Sequence, residues 1–90
     1  MSLLENAYSI PKEVRLQQLE DQAVILNLKS GIYFGLNPIG VEVWRAIESG
    51  APLPALCLRL TDEYDVEEAT LKSDVEALLQ DLLANGLIAQ

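Results

Sequence analysis

The fold is decided within residues 23–49, which read AVILNLKSGIYFGLNPIGVEVWRAIES. Two runs rich in β-branched and aromatic residues, 23–28 and 32–36, are separated only by Lys-Ser-Gly at 29–31. Such a pair of runs is typical of a β-hairpin, in which glycine allows the positive φ that a tight turn uses. We therefore predict two adjacent strands of an antiparallel sheet here.

The spacing of the apolar residues changes after Leu36. Asn37 and Pro38 have the residue types that begin a helix, because asparagine accepts a hydrogen bond from a free helical N–H and proline has no N–H to leave unpaired. The apolar residues that follow recur at helical spacing until Ser49-Gly50. This pattern predicts a first helix over residues 38–48.

Two more helices are predicted towards the C-terminus. Pro52 and Pro54 bracket the start of the second, whose apolar residues keep helical spacing as far as Tyr64. The third and longest covers residues 66–84, and Asp65 is expected to open it as an imperfect capping box. Asn-Gly follows the last turn, as is typical of a left-handed helix cap, and a short extended segment ends the chain.

Alternating residues before the hairpin predict a first strand near residues 14–19, followed by a turn at 20–22. Three strands followed by three helices indicate an α+β domain, in which the helices cover one face of a three-stranded antiparallel sheet. The short connection between the first two helices, with a third after them, resembles a winged helix-turn-helix. The 90 residues have room for one domain, residues 1–90, with its core over about 14–89.

Charge and composition narrow the function. The chain has 6 basic and 14 acidic residues, for a net charge of −8. Because binding to nucleic acid or to an anionic membrane depends largely on Lys and Arg, neither partner is expected. The third helix would enter the major groove in a DNA-binding winged helix, yet here it is predominantly acidic. A DNA-binding or transcription-regulatory domain is therefore the alternative, and not the preferred interpretation.

Few residues suit catalysis or metal binding. The chain has no histidine and a single cysteine, Cys57, which excludes an intramolecular disulfide, a zinc finger and a Cys-His nucleophile. Cys57 falls on the apolar face of the second helix, where a buried thiol is expected. We predict no enzymatic activity, no metal and no cofactor. Without a signal sequence or a long apolar run, the protein is expected to be cytoplasmic.

One edge of the predicted sheet could accept a further strand. Residues 32–36 lack the charges and prolines that usually protect an exposed edge, so an extended peptide could add beside them, unless this strand is interior or covered by a helix. The third helix has a wide apolar arc, which either packs entirely in the core or forms one side of a groove beside the strand. A proline at Phe34 is expected to remove one strand N–H.

A family resemblance is found in four segments: GIYFGLNPIGVEVW at 31–44, ESG at 48–50, SDVEALL at 73–79, and NGLI at 85–88. Leu82, shortly after the third segment, belongs to the same pattern. In this order the chain resembles the PqqD-like family, the small recognition domains of pathways that make ribosomally synthesised, post-translationally modified peptides. Members from the quinone pathway usually have Tyr-Pro-Glu-Gly at the hairpin turn, where this chain has Leu-Lys-Ser-Gly. It therefore looks more like the stand-alone members from lasso-peptide clusters than like true pyrroloquinoline quinone members.

The resemblance implies a winged-helix, non-catalytic domain whose partners are a precursor (leader) peptide and a separate modifying enzyme or leader peptidase. The leader would join the sheet as an added antiparallel strand and be presented to that enzyme. A pyrroloquinoline quinone biosynthesis chaperone, acting with a radical SAM enzyme, is the alternative pathway. By position, the implied peptide-binding residues are Ile32, Tyr33, Phe34 and Gly35 on the third strand, and Leu71, Lys72, Val75, Leu78 and Leu79 on the third helix.

Overall fold

Three antiparallel strands form one sheet in the computed structural model, which describes residues 3–20 and 22–90. They are β1 (Val14–Gln18), β2 (Ala23–Asn27) and β3 (Tyr33–Leu36), in the order β1-β2-β3. All three predicted strands are confirmed. Of the turn predicted between the first two, Asp21 lies outside the described residues.

Three helices follow the sheet: α1 (Pro38–Ser49), α2 (Leu53–Tyr64) and α3 (Glu68–Ala84). The predicted fold class, a small α+β domain with three strands followed by three helices, is confirmed. Burial alternates along β2, where the side chains of residues 23, 25 and 27 are buried and those of residues 24 and 26 are half-buried. The helices therefore cover one face of the sheet, as the alternation of a strand requires.

The junction between β3 and α1 forms as the residue types predict. The Asn37 side chain accepts a hydrogen bond from Gly40 N at 2.7 Å and so caps the first turn of α1. Gly40 also allows a close approach to the end of β3, because a Cβ there would lie only 3.0 Å from Leu36 Cδ2. Gly50 ends α1 in the left-handed conformation, with φ 75°.

Asp65 has a different role from the one predicted. Its backbone adopts the left-handed conformation and its N–H donates to Thr61 O, so it ends α2 instead of opening α3. The N-cap of α3 is Glu67, whose side chain makes no capping bond. A capping box and a left-handed cap both favour a short polar residue, so the residue type of Asp65 suits either position. The packing of the two successive helices decides which position it takes.

The core extends beyond the segment expected from the sequence. Residues 3–5 form a short 3-10 helix that packs against α2 and α3, and Leu4 is buried. The predicted extended segment at the C-terminus contains a β-bridge between Ala89 and Ser9. Cys57 is buried, as expected. The largest fully buried side chains are those of Trp44, Ile25, Leu60, Leu71, Leu79, Leu82 and Leu87.

Candidate functional site

β3 is an edge strand, because the sheet order places it beside β2 alone. Asn27 N donates to Ile32 O at 2.9 Å, which marks these two residues as a hydrogen-bonded pair. Such pairs alternate with non-bonded pairs along an antiparallel ladder, so Phe34 directs its N–H and C=O at β2. Tyr33 and Gly35 direct theirs to the open side, where a further strand could bond to them.

This register corrects the proline test suggested by the sequence. The N–H of Phe34 lies within the β2–β3 ladder, so a proline there would disturb the sheet itself. The N–H groups available to a further strand belong to Tyr33 and Gly35. Proline at Tyr33 is compatible with an edge strand, because the N–H that it removes faces outwards.

A cleft of about 150 Å³ lies between the end of β3, the start of α1 and the middle of α3. Polar and apolar atoms contribute about equally to its surface, and the Asn37 side-chain oxygen within it already accepts the capping bond from Gly40 N. Among the described residues that line the cleft, Asp74 contributes the one charged side chain. We call this the β3–α3 cleft; its lining residues are Gly35, Leu36, Asn37, Ile39, Gly40, Asp74, Val75 and Leu78.

Three of the nine residues implied by the family resemblance line the β3–α3 cleft. They are Gly35, Val75 and Leu78. Val75 is buried and Leu78 half-buried, so Leu78 is the more accessible of the two helical side chains. The structure therefore brings the free edge of β3 and the exposed part of the α3 apolar face to the same cleft.

Two of the implied strand residues are exposed. The side chains of Ile32 and Tyr33 are 42% and 74% exposed. Phe34 is half-buried and packs against the core. Because alternate residues of a strand face opposite sides, Tyr33 points away from the helices, and its backbone is the part that borders the free edge.

The remaining implied helix residues lie outside the cleft lining. Leu71 and Leu79 are buried in the core, so they position α3 and offer no free surface. The Lys72 ammonium pairs with the Glu68 carboxylate at 2.8 Å. This hydrogen bond, with the charge of Glu68, raises the pKa of Lys72 above its ordinary value.

Sequence reasoning missed Asp74 as a site residue. The signal was available: Asp74 lies three residues after Leu71 and four before Leu78, which places a charged residue on the apolar stripe of α3. Leu36, Asn37, Ile39 and Gly40 were also missed as site residues. They enter the cleft because α3 lies beside the junction of β3 and α1, which a pattern of spacing does not reveal.

Histidine and cysteine are absent from the described residues that line the β3–α3 cleft. No group of three or more His, Cys, Asp or Glu side chains within residues 3–20 and 22–90 could hold a metal ion. Cys57 does not line the cleft. Burial raises the pKa of the Cys57 thiol, although the charge of Lys72 acts in the opposite direction. No helix in the described part of the chain is long and apolar enough to cross a membrane.

An open sheet edge beside a cleft is an arrangement in which α+β domains can accept an extended segment of chain. This chain belongs to the PqqD family: the model described as coenzyme PQQ synthesis protein D (PqqD) matches residues 22–88. The matched region contains β2, β3 and all three helices, and so both sides of the β3–α3 cleft.

Two solved structures are similar over most of their length. One, described as TbiB1 in complex with the TbiA(beta) leader peptide, is 29% identical, covers 88% of this chain and 92% of its own, and has a TM-score of 0.76. The other, lasso peptide synthetase B1 complexed with the leader peptide, is 28% identical, covers 94% and 100%, and has a TM-score of 0.80. No curated protein matches the chain.

These similarities confirm the predicted family and the likeness to its lasso-type members. They give no support to the DNA-binding alternative.

Proposed function

We propose that this protein binds the leader segment of a precursor peptide as an additional strand beside β3. The observation that carries the proposal is the free edge of β3, whose outward N–H and C=O groups border the β3–α3 cleft. The similarity to two proteins solved with leader peptides supports the same interpretation.

Two parts of the site would supply affinity and selectivity separately. The backbone groups of Tyr33 and Gly35 would form the main-chain bonds, which accept any sequence. Alternate side chains of the added strand would point towards α3, where the half-buried Leu78 offers an apolar surface. We expect a dissociation constant in the micromolar range or tighter, equivalent to about −8 kcal/mol or better.

The bound leader would be presented to a separate modifying enzyme or leader peptidase, and this protein would itself be non-catalytic. The absence of histidine from the sequence and the buried position of Cys57 support a non-catalytic role. We further propose that the 90 residues act as a single domain in the cytoplasm, without nucleic acid or a membrane as partner. The hairpin turn Leu28-Lys29-Ser30-Gly31 favours a lasso-type pathway over the quinone pathway.

Calorimetric and NMR titration with the leader of the precursor encoded beside its gene tests this proposal. We expect amide shifts concentrated in residues 32–36 and 71–82. The matched variants are Tyr33→Ala, which keeps the outward N–H, and Tyr33→Pro, which removes it. Tyr33→Pro should weaken binding more than Tyr33→Ala does, by about fivefold or more if one hydrogen bond is lost.

Circular dichroism must show that both variants are folded before their affinities are compared. If the folded Tyr33→Pro variant binds the leader as tightly as Tyr33→Ala, strand addition beside β3 is wrong. If the shifts instead cluster on the β1 side of the sheet, the peptide adds at the opposite edge.

A further inference from the structure

The β3–α3 cleft contains a charge, that of Asp74, for which no ion-pair partner is found among residues 3–20 and 22–90. The four ion pairs among residues 3–20 and 22–90 involve Arg45, Arg59 and Lys72 and their glutamate partners, and none involves Asp74. Lys72, two residues before Asp74, is held by Glu68 at 2.8 Å. Asp74 is exposed and lines the cleft beside apolar surface. Its carboxylate is thus free to accept a ligand group.

We infer that Asp74 selects a lysine or arginine in the bound peptide, two positions from the apolar residue that fills the cleft. This inference rests on the proposed function, because it concerns the side chains of a peptide that has been added beside β3. Main-chain bonding alone would not prefer a basic side chain in the peptide, whereas Asp74 would.

The size of the cleft limits how many side chains enter it. A volume of about 150 Å³ is comparable with a cavity that holds one small apolar ring or aliphatic group. The next side chain that points the same way is two residues along the strand, roughly 6.5 Å away. This second side chain of the peptide therefore falls outside the cleft. If it is long, it can still reach the carboxylate of Asp74.

A side chain, and not the peptide backbone, is the expected partner of Asp74. The N–H groups of an added strand lie in the plane of the sheet, directed at β3 or at solvent, whereas α3 shares the hydrophobic core with the buried face of the sheet. Asp74, on α3, is therefore approached by inward-pointing side chains. Among these, lysine and arginine are the ones that compensate a carboxylate.

The surrounding charge favours the same class of peptide. The net charge of the chain is −8, and α3 itself carries Glu68, Asp74, Glu76 and Asp81 against Lys72. Such a field attracts cationic segments and repels acidic ones during encounter. It acts on any basic peptide, however, so only a test that separates Asp74 from the general field identifies its own contribution.

Selection from a display library of randomised peptides distinguishes the contribution of Asp74 from that of the general field. Each peptide is long enough to span β3. The library is enriched on the wild-type protein, on Asp74→Lys and on Asp81→Lys. The two variants change the net charge equally, but Asp81 does not line the cleft. Tyr33→Pro, folded and with its edge N–H removed, serves as the background.

We expect wild-type protein and Asp81→Lys to enrich peptides with Lys or Arg two positions from an apolar residue, and Asp74→Lys to enrich Asp or Glu there. Peptides enriched over the Tyr33→Pro background but without a charge preference, or with the same preference for Asp74→Lys, would overturn the inference while leaving strand addition intact. No enrichment over that background would overturn the proposed function and the inference together.

Affinities of one enriched peptide then measure the coupling. Replacing its basic residue with glutamine should weaken binding to wild-type protein by about three- to fivefold at low salt, as for an exposed ion pair. The same replacement should leave binding to Asp74→Asn nearly unchanged, and the wild-type difference should shrink as salt is added. Equal losses for wild type and Asp74→Asn would show that the basic residue contacts another group, which would overturn the assignment.

Discussion

Ser9 and Ala89 join the two ends of the chain in an antiparallel bridge: Ser9 N donates to Ala89 O at 2.7 Å, and Ala89 N donates to Ser9 O at 2.9 Å. The bridge keeps the N-terminal segment beside the end of α3, where the 3-10 helix inserts Leu4 into the core. The helix that forms one side of the β3–α3 cleft is therefore also in contact with residues that precede the sheet.

Leu4→Ala tests this support. Because Leu4 is buried, its truncation should lower the free energy of unfolding by about 2–4 kcal/mol, measured by urea denaturation. Glu5→Gln, at an exposed position of the same 3-10 helix, should change it by less than about 0.5 kcal/mol. Equal stabilities for wild type and Leu4→Ala would mean that the N-terminal segment is not docked in solution.

The hairpin turn should depend on the backbone conformation of Gly31. Gly31 has φ 78°, and a Cβ there would meet no atom within 4 Å, so alanine would be strained by its backbone alone. We expect Gly31→Ala to cost about 1–2 kcal/mol in the free energy of unfolding. Gly35→Ala is the matched control: its surroundings are equally open, but its φ is not positive. That variant should be as stable as wild type or gain up to about 1 kcal/mol. A smaller loss for Gly31→Ala than for Gly35→Ala would contradict this account.

Leu78 should contribute to peptide affinity. It is half-buried and lines the β3–α3 cleft, so Leu78→Ala removes apolar contact area from the ligand surface. We expect leader binding, measured by calorimetry, to weaken about tenfold, equivalent to roughly 1.4 kcal/mol. Leu83→Ala changes a half-buried leucine of the same helix that is outside the cleft, and should leave affinity within about twofold of wild type. Similar losses for both variants would indicate a general loosening of α3.

Cys57 should be unreactive in the folded protein. Its thiol is buried, and burial raises its pKa, so the thiolate forms less readily than in the unfolded chain. At pH 8 we expect alkylation by iodoacetamide to be at least about tenfold slower in native buffer than in urea. Equal rates under the two conditions would show an accessible thiol and would reopen the question of a catalytic role.

The raised pKa of Cys57 also predicts the direction in which the stability of the protein changes with pH. Because the folded pKa is raised, the unfolded chain releases the thiol proton first as pH increases. The contribution of Cys57 is therefore complete below the ordinary thiol pKa and is lost as pH rises through the folded value. The difference in unfolding free energy between wild type and Cys57→Ala should accordingly decrease at alkaline pH. A constant difference would contradict the shift.

The sequence by itself determined the elements and their order. The change in spacing after Leu36, with Asn37 and Pro38 at the junction, placed β3 and α1 correctly because both signals are local. The same patterning placed α2 and α3, apart from the start of α3. There Asp65 suits either a helix start or a helix end, and only the packing of α2 against α3 decided between them.

The tertiary structure decided what the elements present to a ligand. Which backbone groups of β3 are free depends on its register with β2, so Tyr33 and Gly35, and not Phe34, face the open side. Periodicity likewise placed Leu71 and Leu78 on one apolar face, but only packing separated Leu71, which is buried in the core, from Leu78, which is half-buried and lines the cleft. The physical reason is that the spacing of apolar residues fixes which side chains share one face of a helix or strand. Whether that face is exposed depends on which other elements pack against it. Leu4 and Asp74 acquire their roles from neighbours that are distant in the chain.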